Sequence, residues 1–274
     1  MAEIESESQF VWKFIWNILL TPITLVMIIF KKKQVGDLFK PFADFFRFVW
    51  EPKFTVMIIL LNIAAFFYSS TFSEATMSSL ANYPSDVLQI SQWHTLITSG
   101  FLHLNLAHLL GNMAAIFIFG RAVERTLGFW KTAAVYFGAL VVSNIFSSLI
   151  SLYLLGENMG GVGASGALMG LVSVAILMDP FYLTYELIVP LPIMVVGWIA
   201  IYGDITGILN PAEDGIGHLA HVGGFLSVMA TMFFLNFQDK AKLKKGLLIN
   251  IASIAVIYGI YFFFLQDKIS AVLP

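Results

Sequence analysis

Ser165 lies in the run Gly160-Gly-Val-Gly-Ala-Ser165-Gly166, and His221 in Gly217-His-Leu-Ala-His221-Val-Gly-Gly224. A serine hydroxyl is a weak nucleophile until a positioned base takes its proton, and imidazole ordinarily titrates near neutrality, which suits such a base. Attack on an amide then creates an oxyanion that needs hydrogen-bond donors aimed at it. Asn105, His108 and Asn112 recur at spacings of three and four, which puts them on one helical face. The Asn112 and His108 side chains, with the Ser165 backbone N–H, are the candidate oxyanion donors. One such donor is worth roughly 2.7–4 kcal/mol of barrier. Acyl transfer is the chemistry this set allows.

Plainer readings exist for each. Ser165 could simply cap a helix N-terminus. Polar residues inside apolar helices are often packing glue, the reading given to Ser143, Asn144, Ser147, Ser148 and Ser151. His218 and His221 could ligate a metal, but no third ligand is evident nearby, so no metal is expected. His94 and His103 are read as structural.

The elements that must position these residues follow from composition. Of 274 residues, 58% are apolar and 12% charged, against about a quarter charged in a soluble domain. The bilayer is therefore the expected environment. A net charge of −2 supplies no basic face for nucleic acid. With no cysteine, disulfides and Cys-ligated metals are excluded. The acidic start, Met1-Ala-Glu-Ile-Glu, lacks the features of a signal peptide or a mitochondrial presequence.

A membrane core of about 30 Å takes about 20 apolar residues as helix. Seven segments qualify: 54–70, 102–123, 132–155, 164–178, 181–202, 219–237 and 247–265. The basic residues Lys31, Lys32, Lys33, Lys40, Arg47, Lys53, Arg121, Arg125, Lys131, Lys240, Lys242, Lys244 and Lys245 fall on one side of these spans. Glu74, Asp86, Glu157, Asp204, Glu213 and Asp214, with Lys268, fall on the other. The positive-inside rule makes the N-terminus cytoplasmic and the C-terminus external. Residues 9–30 carry a polar stripe (Gln9, Lys13, Asn17, Thr21, Thr24) and read as a helix lying in the cytoplasmic interface rather than as an eighth span, which would put that stripe and Pro22 in lipid; the stretch 34–52 reads as interfacial too. The expected organisation is an interfacial segment over 1–53, a six-helix core over 54–237, and a basic loop with a seventh helix over 238–274.

The fourth span is short. From Ser165 to Met178 there are 14 residues before Asp179-Pro180, about 21 Å of helix. Ser165 then begins its helix below the outer surface, where irregular backbone must line a cavity. A helix N-terminus there offers free N–H groups to a developing negative charge. Gly166 with Gly170, and Ala220 with Gly224, form small-xxx-small pairs that let two backbones approach, bringing His221 toward Ser165.

Together these residues resemble the rhomboid intramembrane serine proteases. The resemblance rests on His108-x-x-x-Asn112, Gly163-Ala-Ser165-Gly166 and Ala220-His221-x-Gly-Gly224, in that order. Trp93 with Thr98-Ser-Gly-Phe-Leu-His103, and Gly120-Arg-Ala-Val-Glu124 with Gly128, add to it. It covers residues 54–237 and implies an all-α polytopic protein with a six-helix core plus a C-terminal seventh helix. It also implies a Ser–His dyad without an acidic third member: Ser165 as nucleophile, His221 as base, Asn112 and His108 at the oxyanion, and Gly163, Gly166 and Gly224 in support. Single-span membrane proteins, cut near the outer end of the span, are the implied substrates, with no cofactor. Two positions depart from the family's pattern. Met169 stands where a tyrosine often supports the histidine, so His221 must be oriented by another group. Trp93-His94 stands where Trp-Arg is common.

The sequence thus predicts a serine endopeptidase of the cell membrane, its site opening to the outer face. The alternatives are an inactive relative that binds membrane clients and a transporter; the latter would show repeat symmetry between halves, which the sequence lacks.

Overall fold

Backbone amides in lipid must be paired within the chain, and this chain pairs them almost wholly in helices. The structure, a computed structural model, describes residues 7–184, 190–209 and 217–265. Helices α1 (Glu7–Leu19) and α2 (Thr21–Ile29) meet at a bend of 54°. Pro22 sits in the first turn of α2, where a missing N–H leaves no hydrogen bond broken. Phe14 of α1 stacks on Phe45 of α3 (Lys40–Trp50), ring centroids 5.6 Å apart. Helix α3 then turns by 82° into α4 (Lys53–Ser69), so an upright α4 lays α3 across the bilayer plane.

A long loop carrying α5 (Glu74–Leu80) and α6 (Thr95–Thr98) leads to α7 (Leu106–Leu127) and α8 (Phe129–Ile150), which continues as a π-turn over Ser151–Leu155. Helix α9 (Ser165–Met178) has the expected 14 residues. A two-residue hairpin of β1 (Leu183–Thr184) and β2 (Leu191–Pro192) precedes α10 (Ile193–Leu209). Helices α11 (His218–Leu226), α12 (Val228–Thr231) and α13 (Phe237–Ile260) complete the described chain. Among the described residues three stretches are long and apolar enough to cross a membrane, or up to five if each bent pair is one span; α9 and α10 are shorter apolar helices.

Every residue of α9 after Ser165 is buried, and α7, α8, α10, α11 and α13 all pack on it. The outer helices instead show Leu, Ile, Phe and Trp side chains to the surroundings, among them Trp130, Phe233 and Phe263. That inversion of a soluble surface suits a lipid solvent.

Two locks hold the bundle. Glu124 of α7 accepts the N–H groups of Phe54 and Thr55 and the Thr55 hydroxyl, each at 2.9 Å, and so caps α4. Arg121, fully buried, donates to Phe48 O at 2.5 Å and Glu51 at 2.7 Å, its guanidinium 3.6 Å from the Phe48 ring centroid. The Gly120-Arg-Ala-Val-Glu124 segment thereby ties α3 and α4 to α7. Between α9 and α13, a Cβ at Gly246 of α13 would overlap the Leu177 carbonyl. Asn250 donates to Ile176 O and accepts from Trp198, both at 2.8 Å.

Several boundaries differ from expectation. Helix α7 begins at Leu106 because Asn105 is its N-cap, accepting the His108 N–H at 2.9 Å; Asn105 therefore does not share a helical face with His108 and Asn112. The lysines 240–245 lie on the first turns of α13 rather than in a loop, since Asn236 caps that helix at once. Arg121 lies inside α7, and Asp204 inside α10 rather than in an outer loop. Glu213, Asp214 and Lys268, used in the orientation argument, lie outside the described residues.

Replacing Glu124 by Ala strands three buried donors, each costing about 1–3 kcal/mol. Glu124→Ala should lower unfolding stability by at least 2 kcal/mol or so, read by chemical unfolding in micelles, with Glu124→Gln falling between it and the wild type.

Candidate active site

The segment before α9 has no regular structure, yet two of its amides are paired. Gly161 and Asn82 exchange backbone hydrogen bonds of 2.8 and 3.1 Å, and the Gly163 N–H donates to Ser99 O at 2.9 Å. The loop that supplies these partners is itself pinned to α8. Asn82 donates its amide to Ser148 Oγ at 3.0 Å, and Asn144 donates to Leu96 O and Ser99 Oγ at 2.9 and 3.1 Å. Asn144 and Ser148 of α8 thus act as packing contacts, while Ser143 and Ser147 bond carbonyls of their own helix. His94 likewise sits 3.2 and 3.1 Å from the Ser91 and Ser79 carbonyls inside that loop.

Gly163 has φ +127°, a conformation L side chains rarely adopt. A Cβ there would come within 2.9 Å of His108 Nε2 and 3.7 Å of Asn112 Nδ2. The glycine turn therefore passes directly over the two side chains that the sequence offered as oxyanion donors. Asn112 is buried, and its Nδ2 has no protein partner, so one donor is free at this spot. The His103 ring stands edge-on to His108 at 5.1 Å.

Ser165 is the first residue of α9, partly exposed, with Ala164 in the cap position. The serine is thus no N-cap. Leu168 N–H bonds the Ala164 carbonyl, which leaves the N–H groups of Ser165, Gly166 and Ala167 without an intrahelical partner. These donors follow directly on the glycine turn that passes Asn112.

Helices α9 and α11 touch backbone to backbone. A Cβ at Gly224 would overlap the Gly166 carbonyl and stand 3.1 Å from Met169 Cβ. A Cβ at Gly166 would overlap Ser143 and lie 3.7 Å from Ala220 O; one at Gly170 would lie 3.5 Å from Gly224 O. Both predicted small-residue pairs form this contact. It sets Ala220-His221 beside Ser165-Gly166. Among the described residues no hydrogen bond joins Ser165 to His221, a separation common before substrate binds. His108 is near enough to His221 for their charges to interact.

Asp204 is the residue that sequence reasoning missed. Its Oδ1 lies 2.6 Å from His221 Nδ1 and 2.9 Å from His218 Nδ1, and the residue is only 8% exposed. Gly207, one turn along α10, leaves room for the His218 ring, which a Cβ there would overlap. The expected fifth span ended at residue 202, which assigned Asp204 to an outer loop. The signal available was a carboxylate in the apolar run Ile201-Tyr-Gly-Asp-Ile-Thr-Gly-Ile-Leu209, since an ionisable group inside a span marks a site. Asp204, His218 and His221 are also the group among the described residues with the spacing to hold a cation. Here the carboxylate oxygen makes hydrogen-bond distances to both rings, which already accounts for their arrangement.

The family model described as the rhomboid domain matches residues 90–238, a range that includes His108, Asn112, Ser165, Asp204, His218 and His221. The chain is 28% identical over 193 residues to rhomboid protease AarA of Providencia stuartii, covering 62% of this chain and 68% of that protein. It is 25% identical over 181 residues to RHOMBOID-like protein 12, mitochondrial, of Arabidopsis thaliana, covering 61% and 54%. It is 28% identical over 186 residues to rhomboid protease GlpG of Klebsiella pneumoniae, covering 66% and 62%. The matched stretch thus spans between 54% and 68% of these relatives' lengths. With its apolar helices packed around α9, the chain is a multi-pass membrane protein and belongs to the rhomboid family.

Proposed function

We propose that the protein is an intramembrane serine endopeptidase. The observation that carries this reading is the unpaired Asn112 donor beside a glycine turn that delivers Ser165 to the head of a buried helix. In this reading His221 takes the Ser165 hydroxyl proton as Oγ attacks the scissile carbonyl. The oxyanion that forms is held by Asn112 Nδ2, His108 and the α9 N-terminal amides. His221 then returns the proton to the leaving amine, and water repeats the cycle on the acyl-enzyme.

The substrates proposed are single-span membrane proteins, cut near the outer end of the span, where helix-breaking residues let the backbone extend. The proposed arrangement is a six-plus-one set of spans in the cell membrane, N-terminus cytoplasmic and site open to the outer face. Retention of both Ser165 and His221 weighs against a protein that only binds membrane clients. No cofactor is needed for this chemistry.

Reconstituted in liposomes with a reporter whose span carries Gly, Pro or Ser near its outer end, the wild type should cleave and Ser165→Ala should not. Equal cleavage by both would overturn the reading. Asn112→Ala should lower kcat by about 10²–10³-fold while leaving thermal unfolding nearly unchanged, because the lost Nδ2 bonds no protein atom. Gly163→Ala should lose both activity and stability, the strain alone being about 1–3 kcal/mol, since its Cβ would also press on His108.

A further inference from the structure

A general base must be held in one tautomer. The proton has to sit on the nitrogen away from the nucleophile, so that the nearer nitrogen keeps its lone pair. In this chain the family's usual aromatic support is replaced by Met169, which packs at Gly224 and carries only a weak sulfur acceptor. We propose that Asp204 is the positioning residue of this site, holding His221 with Nδ1 protonated and Nε2 free for the Ser165 hydroxyl. This rests on the protease reading above and deepens it: the working unit becomes Ser165, His221 and Asp204.

The geometry supports this in three ways. The Nδ1–Oδ1 separation of 2.6 Å is that of a strong, charge-assisted hydrogen bond. The carboxylate is itself fixed, because His218 Nδ1 donates to the same oxygen at 2.9 Å and the His218 ring is seated over Gly207. Finally, Asp204 and His221 come from different helices, so the bond also sets the distance of α10 from α11. When the Ser165 proton arrives at His221 Nε2, the imidazolium faces the ionised Asp204; the proton stays on the ring and the carboxylate does not take it. Among the described residues, Asp204 from α10 and His218 from its own helix lie against His221, and His108 of α7 is within electrostatic range.

The test compares wild type, Asp204→Asn and Asp204→Glu in the liposome assay, with ¹⁵N-histidine spectra of each in micelles. Asp204→Asn should lower kcat by about 10²-fold or more with KM changed less than about threefold. The His221 signals should shift from a single Nδ1-protonated form to a mixture of tautomers, and Asp204→Glu should recover part of the rate. Wild-type kcat in Asp204→Asn, or an unchanged His221 tautomer, would overturn the proposal. So would a variant that merely unfolds earlier while its folded fraction turns over at the wild-type rate. Activity lost in EDTA and restored by Zn²⁺ would reassign the three residues as a metal site and overturn it as well. Should the wild type itself fail to cleave, the protease reading falls, while the His221 tautomer in wild type and Asp204→Asn still decides whether Asp204 positions the ring.

Discussion

The contact between α9 and α11 is the constraint on which the rest of the molecule depends. Two helices whose facing side chains were leucines would stand 8–10 Å apart or so. Here Gly224 meets the Gly166 carbonyl, and Gly170 meets Ala139 and Ser227. Lipid supplies no hydrophobic drive for helices to associate, so close packing of small residues must supply it. The same contact fixes the chemistry, because Gly166 follows Ser165 and Ala220 precedes His221. Helix α8 has to yield as well: Ser143 and Ala139 stand where larger residues would collide with Gly166 and Gly170. Ser165 and His221 lie on facing turns only because three helices are smooth at one level.

Close approach alone would leave the turn before Ser165 with bare amides. Its hydrogen bonds to Asn82 and Ser99 answer that need, and the bonds from Asn82 to Ser148 and from Asn144 to Ser99 hold those partners in turn. Polar side chains scattered along α8 therefore serve the site at one remove. They make irregular backbone tolerable at a depth where water is scarce.

The short fourth helix was legible from sequence to the residue, since Asp179-Pro180 ends it and the glycine run begins it. So were its small-residue contacts and the placing of His108 and Asn112 at the glycine turn. Three things were hidden. Asn105 looked like a face residue because helical spacing does not distinguish a cap from a first turn; only the backbone geometry does. The lysines of α13 looked like a loop because charge was read as a span boundary, although a helix can extend well past the bilayer. Asp204 was hidden by the same habit. A carboxylate was allowed to end the fifth span, when burial beside two imidazoles removes most of the reason for it to seek water.

The depth of Ser165 depends on the far end of its helix. Fourteen residues make about 21 Å, so α9 cannot rest on both membrane faces, and hydrophobic matching alone leaves it free to slide. Its C-terminal carbonyls are also without intrahelical partners. Helix α13 meets both needs: Asn250 donates to the Ile176 carbonyl, and Gly246 lies directly against Leu177. Lys131 and Asp239, paired at 2.5 Å, tie the start of that helix to α8. A helix appended beyond the rhomboid domain thus acts as a stop for α9. With that end fixed, the rise of the helix sets the level in the bundle at which Ser165 stands.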